Sequence, residues 1–209
     1  MSTPHLQVIY DYVDPGSYLV RELLQTWIRS LERPPEVEWT PLELRVPGSE
    51  PLSLRDPAWA ELHRFMADEA EKAGIPFRIP GSTPWSRKAH ELALLAREKG
   101  CFDPIQRAIF RAHFAEGRDI GRVDVLLDLA AGQGLDPGEV RTVLGVDRFL
   151  SSVEESRRRL LGRGVRGVPT VEARGGTLEG LTDVESFRDF LQGLGEPPPD
   201  EKEHETEGS

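Results

Sequence analysis

Asp14, Pro15, Gly16 and Ser17 stand between an alternating apolar run and an amphipathic stretch, and are the residues of this chain best placed to do chemistry. A carboxyl and a hydroxyl at the opening of a helix meet backbone N–H groups and the positive end of the helix dipole, a setting that favours negative charge. The chemistry open to such a turn is the steadying of an anion, a thiolate included. A second short motif, Gly167-Val168-Pro169-Thr170, precedes another apolar run. Cys101 is the only cysteine, so neither an intramolecular disulfide nor dithiol catalysis is available. It falls in a helix–helix turn with nothing nearby in sequence to activate it. His5, His63, His90, His113 and His204 lack the short paired spacing of a zinc or iron site, so no metal is expected. His113, beside Phe110 and Phe114, reads as a structural core histidine. The glycines at 162, 164 and 167 suit a helix exit better than a dinucleotide fingerprint.

Asp14 also has a purely structural reading. Asp56-Pro57, Asp103-Pro104 and Asp136-Pro137 repeat the same dipeptide at predicted helix starts. Aspartate at an N-cap accepts a bond from the next turn's amides, and proline in the first helical position loses none. Such a cap contributes about 0.5–2 kcal/mol, which is reason enough for Asp14 to be where it is. Cap alone and cap with chemistry both stay open.

The elements that hold these residues follow from periodicity. Leu6, Val8, Tyr10 and Tyr12 alternate as a strand. Val20, Leu23, Leu24, Trp27, Ile28 and Leu31 then form a helical stripe that Pro34-Pro35 stops, and Val37, Trp39 and residues up to Leu44 make a second strand. This βαβ unit implies parallel strands joined by a right-handed crossover. From about 57 to 162 the pattern is helical only, with six helices predicted. Thr170 to Ala173 and Leu178 to Leu181 read as a hairpin, and Thr182-Asp183-Val184-Glu185 has the spacing of a capping box for a last helix. The order is βαβ, a helical block, then ββα: an α/β fold of the thioredoxin-like kind with an all-helical insertion. A single domain over 5–194 is expected. Residues 195–209, proline- and glutamate-rich with no large apolar side chain, are expected to form a disordered acidic tail.

With 209 residues, 38% of them hydrophobic, the chain can bury one substantial core. A net charge of −10 gives no footprint for nucleic acid and opposes an anionic membrane surface. No apolar run reaches membrane-spanning length, and a cytoplasmic protein is the expectation. The sequence permits a homodimer and specifies no oligomeric state.

Val13-Asp14-Pro15-Gly16-Ser17-Tyr18 resembles the Cys-Pro-X-Cys-Tyr turn of DsbA-family enzymes, and Gly167-Val168-Pro169-Thr170 resembles their cis-proline loop. Local sequence statistics alone would make Pro169 trans; the resemblance implies cis. Trp39 to Leu44, Phe110 to Phe114, Glu116 to Gly121, Leu129-Ala130, Gly134 to Asp136 and Glu139-Val140 resemble the FrnE-like branch, which groups with 2-hydroxychromene-2-carboxylate isomerases and kappa-class glutathione transferases. The resemblance runs from about Val8 to Phe190.

Within it, Asp14 stands where the oxidoreductases carry the nucleophilic cysteine and the isomerases a thiolate-steadying serine; Ser17 stands at the second cysteine position. Catalytic roles for Asp14 and Ser17 come from the resemblance alone. It implies ligand binding by the backbone of Val168 beside Pro169, and it admits glutathione as a cofactor without requiring one; Tyr12, Tyr18 and Trp85 are candidate groove residues, each with an ordinary half-buried aromatic as its alternative reading. An ionised aspartate accepts hydrogen bonds and donates none, so Asp14 would oppose a bound thiolate. Three functions are compatible with these residues: an oxidoreductase homologue without its dithiol that binds an extended peptide or a small thiol, a glutathione-dependent isomerase or transferase, and a non-catalytic structural or assembly protein.

Overall fold

Four strands in the order β2-β1-β3-β4 form the floor of the molecule. The computed structural model describes residues 5–46, 48–49, 55–81, 83–174 and 176–195. β1 (His5–Tyr10) feeds α1 (Pro15–Ser30), which returns to β2 (Glu36–Pro41), parallel to β1. Six helices follow: α2 (Pro57–Ala73), α3 (Arg87–Glu98), α4 (Phe102–Phe114), α5 (Val123–Gly132), α6 (Pro137–Gly145) and α7 (Leu150–Gly162). β3 (Thr170–Ala173) pairs antiparallel with β1, β4 (Gly176–Glu179) pairs antiparallel with β3, and α8 (Val184–Gly195) closes the chain. This is the thioredoxin-like arrangement expected from the element order.

β1 is central because both its faces are covered. Leu6, Val8 and Tyr10 enter the main core with α1, α3 and α4, while Ile9 meets Leu42, Leu160 and Val165 on the opposite face. Burial of Leu19, Val20, Leu23 and Leu24 seats α1 on the sheet, each side chain contributing about 1.5–3 kcal/mol. That seating aims the start of α1 at the loop preceding β3.

Several expectations shift. Tyr12 lies beyond β1, and Leu42 to Leu44 lie beyond β2. Asp14, Asp56 and Asp136 cap α1, α2 and α6 through side-chain bonds, but Asp103 does not cap α4. That helix opens a residue earlier, at Phe102, and Asp103 inside its first turn receives a 2.7 Å bond from the buried Arg21 instead. Asp183, rather than Thr182, caps α8 by accepting the Ser186 N–H at 2.7 Å. His113 is buried, and burial pushes its pKa down to about 4. The expected acidic tail lies outside the described residues from 196 onward.

Candidate functional site

Three segments meet at the C-terminal end of β1: the turn 11–14, the first turn of α1, and the loop 165–169. Their approach is close. A Cβ on Gly16 would stand 2.9 Å from Pro169 Cδ and 3.3 Å from Asp14 Oδ2, so only glycine lets α1 pack on the proline ring without displacement. The Val168–Pro169 peptide bond is cis.

Asp14 is 3% exposed, and its Oδ2 accepts the Ser17 N–H at 2.5 Å. Burial pushes its pKa from 3.8 up to about 7 and the neighbouring Asp11 adds to the rise, against hydrogen bonds from Ser17 and Gly16 that favour the anion. The Ser17 side chain is fully buried, with its Oγ accepting the Asp11 N–H at 3.4 Å. The side chains of Asp14 and Ser17 therefore both face inward. What the site presents outward is backbone.

Val168 supplies most of it. Its side chain is half-buried against the Ile9, Leu42, Leu160 and Val165 cluster. On either side the loop is pinned: Thr170 Oγ1 donates to the Gly167 carbonyl at 3.0 Å, and the Gly180 N–H donates to the Pro169 carbonyl at 2.7 Å. Among the described residues nothing hydrogen-bonds to the N–H or C=O of Val168. A donor and an acceptor on one partly exposed residue are the ends to which an extended chain attaches.

The three aromatic residues that are candidates for the groove do not join this edge. Tyr12 is fully buried among Tyr10, Phe110 and His90, with ring centroids 5.2, 4.8 and 4.9 Å away. Tyr18 is equally buried, stacks on Phe114 at 5.4 Å and donates its hydroxyl to the Pro76 carbonyl at 2.8 Å. Both are held by the helical insertion, which turns these rings from groove walls into core. Trp85 is 47% exposed with the Arg45 guanidinium 5.3 Å from its ring centre. It lines a cavity of about 400 Å³ with Arg87, Lys88, Asp147, Leu150 and Glu154, and Asp14, Ser17, Val168 and Pro169 take no part in that lining.

Two buried residues at the site escaped the sequence reading. Asp11 accepts the Leu44 N–H at 2.7 Å through Oδ2, and its Oδ1 lies 3.0 Å from His90 Nε2; both side chains are fully buried. A carboxylate at the end of an apolar strand was the signal for Asp11. His90 is 79 positions away and gave none. Among the described residues Ser86 Oγ, His90 Nδ1 and Glu43 Oε1 are buried without hydrogen-bond partners, and Glu43 is paired with Arg87 at 2.5 Å. Among the described residues no cluster of histidine, cysteine, aspartate or glutamate could hold a metal ion, and no helix is long and apolar enough to cross a membrane.

A thioredoxin-type sheet with a helical insertion, whose helix N-terminus meets a Val-Pro loop without a cysteine, defines a class: the thioredoxin-fold proteins built like DsbA. The family described as DSBA-like thioredoxin domain matches residues 5–192, and the chain belongs to it. The uncharacterized protein YwbO of Bacillus subtilis is 30% identical over 146 residues, 68% of this chain and 72% of that protein. Among solved structures, 2-hydroxychromene-2-carboxylate isomerase superposes with a TM-score of 0.76 at 17% identity, over 91% of this chain and 95% of its own. The cytosolic disulfide reductase DsbM of Pseudomonas aeruginosa, solved with GSH, does so with a TM-score of 0.63 at 21% identity, over 90% and 98%. These structural likenesses carry the fold.

Proposed function

We propose that this protein binds an extended peptide or a small thiol along the backbone of Val168, over the N-terminus of α1, and performs no dithiol exchange. The observation that carries the proposal is the free N–H and C=O of Val168 between two pinned neighbours. A ligand adding there as a short strand would gain two backbone hydrogen bonds, and the cysteine pair has no part in that contact. With one cysteine and no disulfide to protect, the protein suits a reducing, cytoplasmic setting.

A second reading, a glutathione-dependent isomerase of the 2-hydroxychromene-2-carboxylate type, is favoured by one observation. The Asp14 carboxyl is turned inward onto Ser17 N–H and its pKa is pushed up to about 7, so its opposition to a thiolate fades as the pH falls toward and below neutrality. Against it stands the buried Ser17 hydroxyl, already engaged by the Asp11 N–H.

Amide chemical shifts followed through a titration with reduced glutathione, and separately with S-methylglutathione, test both. The Val168 amide is expected to move with either ligand, since the contact is to peptide backbone. Movement with the free thiol alone, accompanied by the Ser17 amide, would transfer the lead to the isomerase. A Val168 amide unmoved by both at millimolar ligand would end the proposal.

A further inference from the structure

We propose that the cleft between α4 and α5 is a second binding site, taking a tetrahedral oxyanion in the form of inorganic phosphate or a phosphate monoester. The cleft has a volume of about 680 Å³ and is lined by Asp103, Arg107, Arg111, Glu116 and Arg118, with Leu129 of α5 and Gln133 just past its end. No residue of the Val168 site lines it.

Three arginines line this space, and among the described residues Arg111 is the one left without an acidic partner. Arg107 and Arg111 sit one turn apart on α4, a like-charge i,i+4 placement that costs stability unless something lies between them. Arg107 is paired with Glu22, its Nη2 donating to Oε2 at 3.4 Å and its Nε standing 3.4 Å from Oε1; among the described residues that Nε is buried without a hydrogen bond of its own. Among the described residues the Arg111 guanidinium makes no ion pair or hydrogen bond. Of the two acids in the lining, Asp103 is engaged from behind by Arg21 at 2.7 Å, and Glu116 is 3.9 Å from Arg118. Arg118 is fixed at the rim by Asp128 at 2.6 Å.

Asp103 and Pro104, in the first turn of α4, close the cleft on the side of Arg107, and the Asp103 carboxylate there already meets the positive end of the helix dipole, so the arginines are the groups left for an anion. The result is a set of planar N–H forks beside a cavity, with no acceptor for Arg111 among the described residues. Guanidinium forks match phosphate oxygens two at a time. A phosphate group carries up to about two charges and three acceptor oxygens, enough to be shared by Arg107 and Arg111 with Arg118 at its edge.

Calorimetric titration of the full chain with inorganic phosphate, and in a second arm with glycerol 3-phosphate, tests this at constant ionic strength with chloride as reference. Saturable binding of at least one anion is expected. Its Kd should rise about tenfold or more in Arg111→Gln and stay unchanged in Arg64→Gln, an exposed arginine on α2. Binding of glycerol 3-phosphate without inorganic phosphate identifies the monoester as the ligand. Absence of binding above chloride in both arms overturns the proposal, as does an unchanged Kd in Arg111→Gln. Should that variant fail to fold, Arg118→Gln replaces it under the same criterion.

Discussion

Replacing Asp14 by asparagine should make the protein more stable at alkaline than at acid pH relative to the native chain, and the size of the effect follows from the burial of one carboxyl. Its pKa is 3.8 when free and about 7 in the folded protein, so the folded state binds a proton that the unfolded state has released throughout that interval. Stability from this group is fully present below about pH 3.8 and is lost as the pH rises through about 7, at up to about 1.4 kcal/mol per pH unit. The whole interval is worth about 4 kcal/mol, of which roughly 3 kcal/mol falls between about pH 5 and about pH 8. Asparagine keeps a capping oxygen for Ser17 N–H but does not titrate. Urea unfolding of both proteins across this range, with the difference in unfolding free energy plotted against pH, reads the effect directly. Asp14→Asn should gain about 3 kcal/mol on the native chain between the two ends. A flat difference would refute the placement of this carboxyl in a desolvated pocket, and with it the electrostatic basis for weakened thiolate opposition near neutrality.

Insulin reduction should stay at background for the native protein and for Cys101→Ser alike, because a single thiol cannot complete a dithiol cycle; turnover that survives the substitution contradicts this. Gly16→Ala should destabilise by about 1–3 kcal/mol in denaturant unfolding, since its new Cβ would overlap Pro169 Cδ at 2.9 Å. Glu43→Gln should cost about 3 kcal/mol, because it removes the buried partner of Arg87 and leaves only the exposed Glu154 at 3.3 Å; an unfolding midpoint equal to the native one would show that the pair contributes nothing.

The elements were legible wherever a period ran long enough. Val20 to Leu31 and the six insertion helices announced themselves by spacing, and Asp-Pro marked three of their starts correctly. Asp103 broke that rule because Arg21, 82 positions away, draws its carboxylate off the helix end, and no local pattern encodes that bond. The same limit applied to the site. Ser17 and Val168 could be singled out from short motifs, but the direction of Tyr12 and Tyr18 depends on Phe110, Phe114 and Pro76, all supplied by the insertion. Asp11 and His90 were missed together, since each gains its meaning only from the other.

The bonds of Asp11 bear on how this molecule comes apart. One residue is tied through its backbone to Ser17 at the head of α1, and through its carboxylate to Leu44 just past β2 and to His90 within the insertion. An insertion of this length attached only at its two ends would be free to open as a separate unit, exchanging its amides while the sheet stayed closed. Here detachment of α3 strands a buried carboxylate in the sheet layer, and fraying of the sheet strands a buried histidine in the helical layer. The two layers are thereby coupled into one cooperative unit, in which the amide of Leu44 and those of α3 around His90 become accessible to solvent in the same opening event.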